Sequence, residues 1–397
     1  MDRVKIFNGK IVTPVKIIEN GCVIIEKGKI VKVGEGNEKT DNCLEINAHG
    51  DYVSPGFIDI HTHGGGGHDF MDGTVDAFLG ACRMHAKHGT TSLVPTTLAS
   101  ENNELKNIFE VLKTAKKQNS EGANILGIHL EGPYFSMEQK GAQDPKYIKK
   151  PNPKEYNEIL KWSDDIIRWS AAPELEGIKE FGVFLKENGI LGSIAHSDAI
   201  YEQVREAFEN GFTHVTHLYS GMSGVKRINL YRYAGVIESA FLIDDMTVEV
   251  IADGSHLPAS LLKLVYKIKG PAKTALITDS MRAAGMPDGD SILGSLKNGQ
   301  KVIVEDGVAK LPDRLSFAGS VATADRLVRT FHKLVEIPLI DVIAMMTETP
   351  AAIIGVSKKK GSLVLGKDAD IVIFNEDVNI KMTIINGRIV YEKPVIL

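Results

Sequence analysis

The chain has 397 residues, 43% hydrophobic and 24% charged, an ordinary balance for a soluble globular protein with room for one large domain and a small one. A net charge of -5 supplies no basic field of the kind nucleic acids attract, and the basic runs at 358–360 and 149–150 read as solvated loops. Cys22, Cys43 and Cys82 lie far apart, which predicts reduced thiols and excludes a disulfide framework. With no signal-like start and no run long enough to span a bilayer, the expected location is the cytoplasm, away from any membrane.

In chain order, VKIFNGKIVTP and CVIIEKGKIVKVGEG read as short β-branched strands joined by Asn-Gly or Lys-Gly turns. ADIVIFNEDVNIKMTIINGRIVYE repeats that texture near the end. The simplest arrangement is a small β-sandwich domain built from both termini (1–54 plus 361–397), with 55–360 as a second domain inserted between them.

That middle segment alternates short apolar runs with helical periodicity. The runs are GFIDIH (56–61), TTSLVPTT (90–97), NILGIHLEG (124–132), IIRWSAAPE (166–174), ILGSIAHSD (190–198), FTHVTHLYS (212–220), VEVIADGSH (248–256) and TALITDS (274–280). Helical segments such as VDAFLGACRMHAKHG and NELKNIFEVLKTAKKQ fall between them, and two more follow the eighth run. Eight strand–helix units predict an α/β fold of the (β/α)8 TIM-barrel type. A doubly wound open sheet is the competing fold, but no GxGxxG turn supports it.

In such a barrel, chemistry belongs at the C-terminal ends of the strands. His61 and His63 end the first run, Glu131 the third, His196 the fifth, His217 the sixth and Asp279 the eighth. Asp253 and His256 follow the seventh. Imidazoles and carboxylates without cysteine suit a divalent metal such as zinc or iron. His61 and His63, two apart on a strand, project to the same side, as ligands must. His214 and His217, three apart, cannot both face inward from one regular strand, so His217 is the ligand candidate and His214 a structural residue. Glu131 at a strand end would be costly to bury unless paired or metal-bound. Asp279 reads as a proton carrier rather than an N-cap. His85, His88 and His332 fall in helical patterns and read as surface or packing residues, His129 shares a strand with Glu131, and His49 and His68 read as loop residues, His68 near the pocket. The glycines at 64–67 match no phosphate-binding pattern and read as a close approach of backbone to metal or substrate.

These residues resemble a known family. SPGFIDIHTHG and GSLVLGKDADIV (361–372) resemble the amidohydrolase superfamily. HLEGPYFSMEQKGAQDP (129–145), SAAPE (170–174), AHSDA (195–199), THLYSGM (216–222), IADGSHLP (251–258) and LITDSM (276–281) are similar to its N-acetylglucosamine-6-phosphate deacetylases, in order along almost the whole chain. The resemblance implies a homodimer whose principal metal is held by Glu131, His196 and His217. It implies that His61 and His63 hold a second metal that only some members bind, with Glu131 as the bridge, giving one or two divalent ions per chain. It also implies that Asp279 acts as general base and then acid in releasing acetate from an amino-sugar phosphate.

On the substrate side it implies contacts from Gln143, Tyr219, Ser220, Gly221, His256, Ala318, Gly319 and Ser320. A phosphate contact falls to either Arg227 or Arg232, reaching across from the neighbouring subunit. Two departures leave the sugar open. Ser220 and Gly221 replace the family's usual asparagine and alanine, and the arginine loop GVKRINLYRYAG lacks the family's proline. N-acetylgalactosamine 6-phosphate, another N-acyl amino sugar or a cyclic amide are the alternative substrates.

Overall fold

The computed structural model describes residues 3–37 and 39–394, so the outermost residues of the expected terminal domain lie outside the description. All eight expected runs form parallel strands: Phe57–Thr62, Thr90–Thr97, Ile128–Glu131, Ile166–Ala171, Leu191–Ile194, Phe212–Val215, Thr247–Val250 and Thr274–Leu276. The third run is split, with Asn124–Ile125 forming a short separate strand ahead of Ile128–Glu131. Almost every residue of these strands is buried, as expected of a parallel sheet covered on both faces, and this is why each reads as an apolar run.

The barrel closes between its first and eighth strands. Ser280 pairs with Thr62, the Asp279 N–H donates to the His61 carbonyl at 2.9 Å, and the His63 N–H donates to the Ser280 carbonyl at 2.8 Å. The helices Val75–Lys87, Asn102–Gln118, Tyr201–Glu209 and Ala259–Lys269 fall where the periodicity places them. After the eighth strand, Ala324–Arg329, Leu339–Met346 and Glu348–Ile353 lead back to the termini. Among the described residues no helix is long and apolar enough to cross a membrane.

The two ends of the chain build one hydrogen-bonded eight-stranded sheet. Its strand Arg3–Val12 is irregular around Gly9, so that Val4–Phe7 pairs with Leu44–Asn47 while Lys10–Ile11 pairs with Tyr52–Val53. Its core joins Ile6, Val23, Ile30 and Val53 from the first end to Leu363, Ile371 and Ile384 from the second.

Two insertions add strands beyond the eight of the barrel. Gly289–Leu293, Gln300–Glu305 and Val308–Lys310 form an antiparallel sheet beside the barrel mouth. Asp306 and Gly307 turn its second hairpin at φ 57° and 70°, so the Asp-Gly pair was the available signal. Lys226–Ile228 and Tyr231–Tyr233 form an exposed hairpin carrying Arg227 and Arg232.

Candidate metal centre and active site

The strand ends bring two ligand groups together: Glu131 with His196 and His217, and His61 with His63 and Asp279. All six are buried. His196, His217 and Asp279 sit just beyond their strands at φ 46°, 27° and 46°, a left-handed backbone that costs on the order of 1–3 kcal/mol for a residue other than glycine and concentrates at functional sites. That turn lets His214 and His217 both face the interior at different depths, contrary to what a regular strand would allow. His214 binds Glu249 at 3.2 Å and Thr247 at 2.8 Å, and His217 reaches Glu131.

The four imidazoles are oriented alike. His196 Nδ1 donates to the Gln139 carbonyl (2.8 Å), His217 Nδ1 to the Ser220 carbonyl (3.1 Å) and His63 Nδ1 to the Thr96 carbonyl (3.2 Å). His61 Nδ1 donates to Glu249 Oε1 at 2.7 Å. Carbonyls and an ionised carboxylate only accept, so each Nδ1 carries the proton and each Nε2 is left with a lone pair or a second proton.

Those Nε2 atoms face carboxylate oxygens. Glu131 Oε1 lies 3.0 Å from His217, 3.3 Å from His196 and 3.7 Å from His61, while Oε2 lies 3.4 Å from His63. Asp279 Oδ1 is 3.1 Å from His63 and 3.4 Å from His61. Lone pairs facing anions in a buried site need protons or a cation between them. Ligand atoms held at about 2.0–2.2 Å from one tetrahedral ion lie roughly 3.3–3.6 Å apart, so these separations fit shared divalent ions. His61 Nε2, buried without a hydrogen-bond partner, is an atom that such an ion would satisfy.

Burial opposes ionisation of Glu131, yet the charge of His61 and the hydrogen bonds of His196, His217 and His63 hold it well below the usual carboxylate range. Asp279 is likewise held low against burial, by His61 and His63. Burial would lower His63, but Asp279 and Glu131 raise it well above the ordinary imidazole value. His217 is raised against burial by Glu131.

The groups open into a cavity of about 300 Å³ lined by Gln143, Tyr219, Ser220, Gly221, His256 and Gly319, among others. Gln143 Nε2 donates to Glu131 Oε2 and its Oε1 accepts from the Ala99 N–H, both at 3.0 Å, leaving one amide hydrogen for a ligand. His256 Nδ1 is tied to Asp253 Oδ2 at 2.8 Å. Ala318 and Ser320 do not line the cavity: Ala318 packs with Met281 and Leu293, and Ser320 Oγ donates to the Thr278 carbonyl at 2.5 Å. Arg227 and Arg232 are exposed on their hairpin and reach no part of this cavity.

The remaining histidines are structural. His129 is held between Thr96 (3.3 Å) and Ser170 (2.6 Å), and burial keeps its pKa well below the ordinary value. His85 is pushed down to about 4 by burial. His88 pairs with Asp325, His332 with the Ile337 carbonyl, and His49 turns at φ 52°. His68 is not a pocket residue, because its ring lies over Gly80, where a Cβ would come within 2.3 Å of it. The glycines at 64–67 do not line the cavity; a Cβ on Gly65 would meet Met84 at 1.8 Å, and Gly66 and Gly67 turn at φ 64° and 88°.

Comparison with known proteins bears on this geometry. The amidohydrolase family matches residues 52–390. The chain belongs to the amidohydrolase family. A relative from Bacillus subtilis (strain 168), N-acetylglucosamine-6-phosphate deacetylase, is 36% identical over 392 residues, covering 96% of this chain and 95% of the relative. N-acetylgalactosamine-6-phosphate deacetylase of Escherichia coli O157:H7 is 32% identical over 339 residues, covering 85% of this chain and 87% of the relative. The crystal structure of N-acetylglucosamine-6-phosphate deacetylase from Pasteurella multocida matches with a TM-score of 0.91 at 28% identity, covering 98% of this chain and 100% of that chain. Amidohydrolases are metal-dependent, and this one carries two ligand groups able to hold an ion.

Sequence reasoning missed Arg168 and Glu249, which lie beneath these groups. The signal was a charged residue inside an apolar run, IIRWSA and VEV, where an unpaired charge is too costly to bury.

Proposed function

We propose that this amidohydrolase removes the acetyl group of N-acetyl-D-glucosamine 6-phosphate, giving D-glucosamine 6-phosphate and acetate, as a step of amino-sugar catabolism. The observation that carries the reading is the convergence of both ligand groups on Glu131, beside a low-pKa Asp279, in a cavity the size of a small-molecule site. The relatives named above act on hexosamine phosphates of this kind.

Glu131, His196 and His217 would hold the principal ion, and His61, His63 and Asp279 a second, with zinc or iron suited to these donors. When bound, a divalent cation polarises the acetamide carbonyl and acidifies a water. Asp279, ionised and aimed at the centre, takes the proton of the attacking water and returns it to the sugar nitrogen as the C–N bond breaks. Asp253 fixes the His256 ring so that Nε2 is left for the phosphate. The exposed hairpin with Leu230 (75% exposed) and Tyr231 (73% exposed) suits a homodimer in which Arg227 or Arg232 reaches the neighbouring subunit's phosphate site. A phosphorylated sugar is retained inside the cell, which favours a cytoplasmic enzyme.

One observation favours a second sugar. Small Ser220 and Gly221 line the cavity, and the Escherichia coli relative acts on the galactosamine epimer. The test is acetate release from a panel of N-acetylhexosamine 6-phosphates and a hydantoin. Preference for the glucosamine compound supports the reading, preference for the galactosamine compound moves it to that sugar, and ring opening without acetate release overturns it.

A further inference from the structure

Beneath the ligand groups the barrel interior holds an ion pair that amide hydrolysis does not itself require. Arg168 of the fourth strand and Glu249 of the seventh are both fully buried. Arg168 Nη1 donates to Glu249 Oε2 at 2.6 Å and Nη2 to Oε1 at 2.9 Å. Its other donors reach Ser193 Oγ at 2.9 Å, the Ile60 carbonyl at 3.3 Å and Thr216 Oγ1 at 2.7 Å, so all five N–H groups are used. The guanidinium thereby spans the first, fifth and seventh strands and the residue that follows the sixth.

A buried ion pair stabilises a fold no better than apolar residues of the same volume, so its presence asks for a role. Two observations point to one. Glu249 Oε1 touches a residue of each ligand group, accepting from His61 Nδ1 at 2.7 Å and from the backbone N–H of His217 at 3.2 Å. His61 Nε2, on the far side of the same ring, is one of the buried side-chain atoms without a hydrogen-bond partner, and among these it is the one that faces the carboxylates of Glu131 and Asp279. The other three imidazoles are oriented by neutral backbone carbonyls; His61 is backed by a carboxylate, which makes its Nε2 the more basic donor.

We propose that Arg168 and Glu249 are positioning residues for the second ion: the guanidinium fixes the carboxylate plane, and the carboxylate fixes the tautomer, direction and basicity of His61. This rests on the reading of His61, His63 and Asp279 as ligands of a second ion. The pair acts on that ion selectively, because its contact with the first group is to a backbone N–H and not to a ligand ring.

The test is to strip the full-length enzyme with chelator and titrate it with zinc against a competing indicator, using cobalt absorption as a second reporter of the ligand field. Wild type is expected to take up two ions. Glu249→Gln keeps the shape and removes the charge, and is expected to weaken the second ion about 10- to 100-fold while leaving the first unchanged. The double variant Arg168→Met/Glu249→Leu replaces the pair by apolar groups of similar volume. It is expected to keep a cooperative thermal transition and to lose the second ion, so the test survives if the single variant does not fold. Two ions with wild-type affinity in a folded variant, or equal weakening of both, would overturn the proposal. A wild-type enzyme that saturates at one ion overturns the two-ion reading beneath it, and the proposal with it.

Discussion

His196 and His217 are steered by loops, whereas His61 and His63 are steered by the barrel. The Nδ1 atoms of the first pair bind the carbonyls of Gln139 and Ser220, in segments that also supply Gly141, Gln143, Tyr219 and Gly221 to the cavity wall. The Nδ1 atoms of the second pair bind Glu249 and Thr96, which belong to the seventh and second strands. Loops open at lower free energy than core strands. The ligand group oriented by loops is therefore expected to be the more easily reshaped by a bound substrate, while His61 and His63 are tied to strands of the barrel. Glu131 belongs to both, with Oε1 toward His196 and His217 and Oε2 toward His63.

The comparison can be broken most severely at Glu131. Glu131→Gln is expected to empty both halves and to lower kcat roughly a thousandfold or more, the several kcal/mol a bound ion contributes to the transition state. Loss of one ion alone would show that the halves are independent. Asp279→Asn, assayed at saturating metal, is expected to lower kcat by about 10²- to 10⁴-fold, the range of a lost general base, and near-normal turnover would remove Asp279 from its role.

Gly221→Ala separates the halves. Gly221 sits at φ 58°, and an added Cβ would lie 2.9 Å from His196 Nδ1 and 3.2 Å from the Gln139 carbonyl it binds. Affinity for the first ion is expected to fall about 10- to 100-fold with the second untouched, as metal titration would read. The smallest effect is on pH. His63 and His217 are raised in the metal-free protein, so their protonated forms stabilise it fully below the unfolded value of about 6.5, and that stability is lost as pH rises through the folded values. The metal-free Tm is expected to fall by a few degrees above about pH 6.5. Metal affinity should strengthen over the same window because binding expels those protons. A metal-free Tm that climbs there would contradict the assignment.

Much of the site was legible because a buried parallel strand is a nearly unbroken apolar run and its polar terminus stands out. TALITDS and NILGIHLEG announce both the strand and the residue at its mouth. What was not legible depends on partners distant in sequence. Arg168 and Glu249 each look like an isolated charge in a strand, and only barrel closure across 81 residues makes them a pair. Ser320 looked like a substrate contact from its motif, but its hydroxyl is spent on the Thr278 carbonyl. Arg227 and Arg232 stand in the expected loop, yet the hairpin carries them away from this chain's own cavity, which is a matter of tertiary direction that no local pattern encodes.

In the proposed two-ion centre, the barrel-held half can be lost without the other. Metal content of the purified His61→Ala/His63→Ala variant, measured beside wild type, tests it most directly. The expected result is a fall from about two ions towards one per chain, as lost ligands require. An unchanged metal content would contradict it.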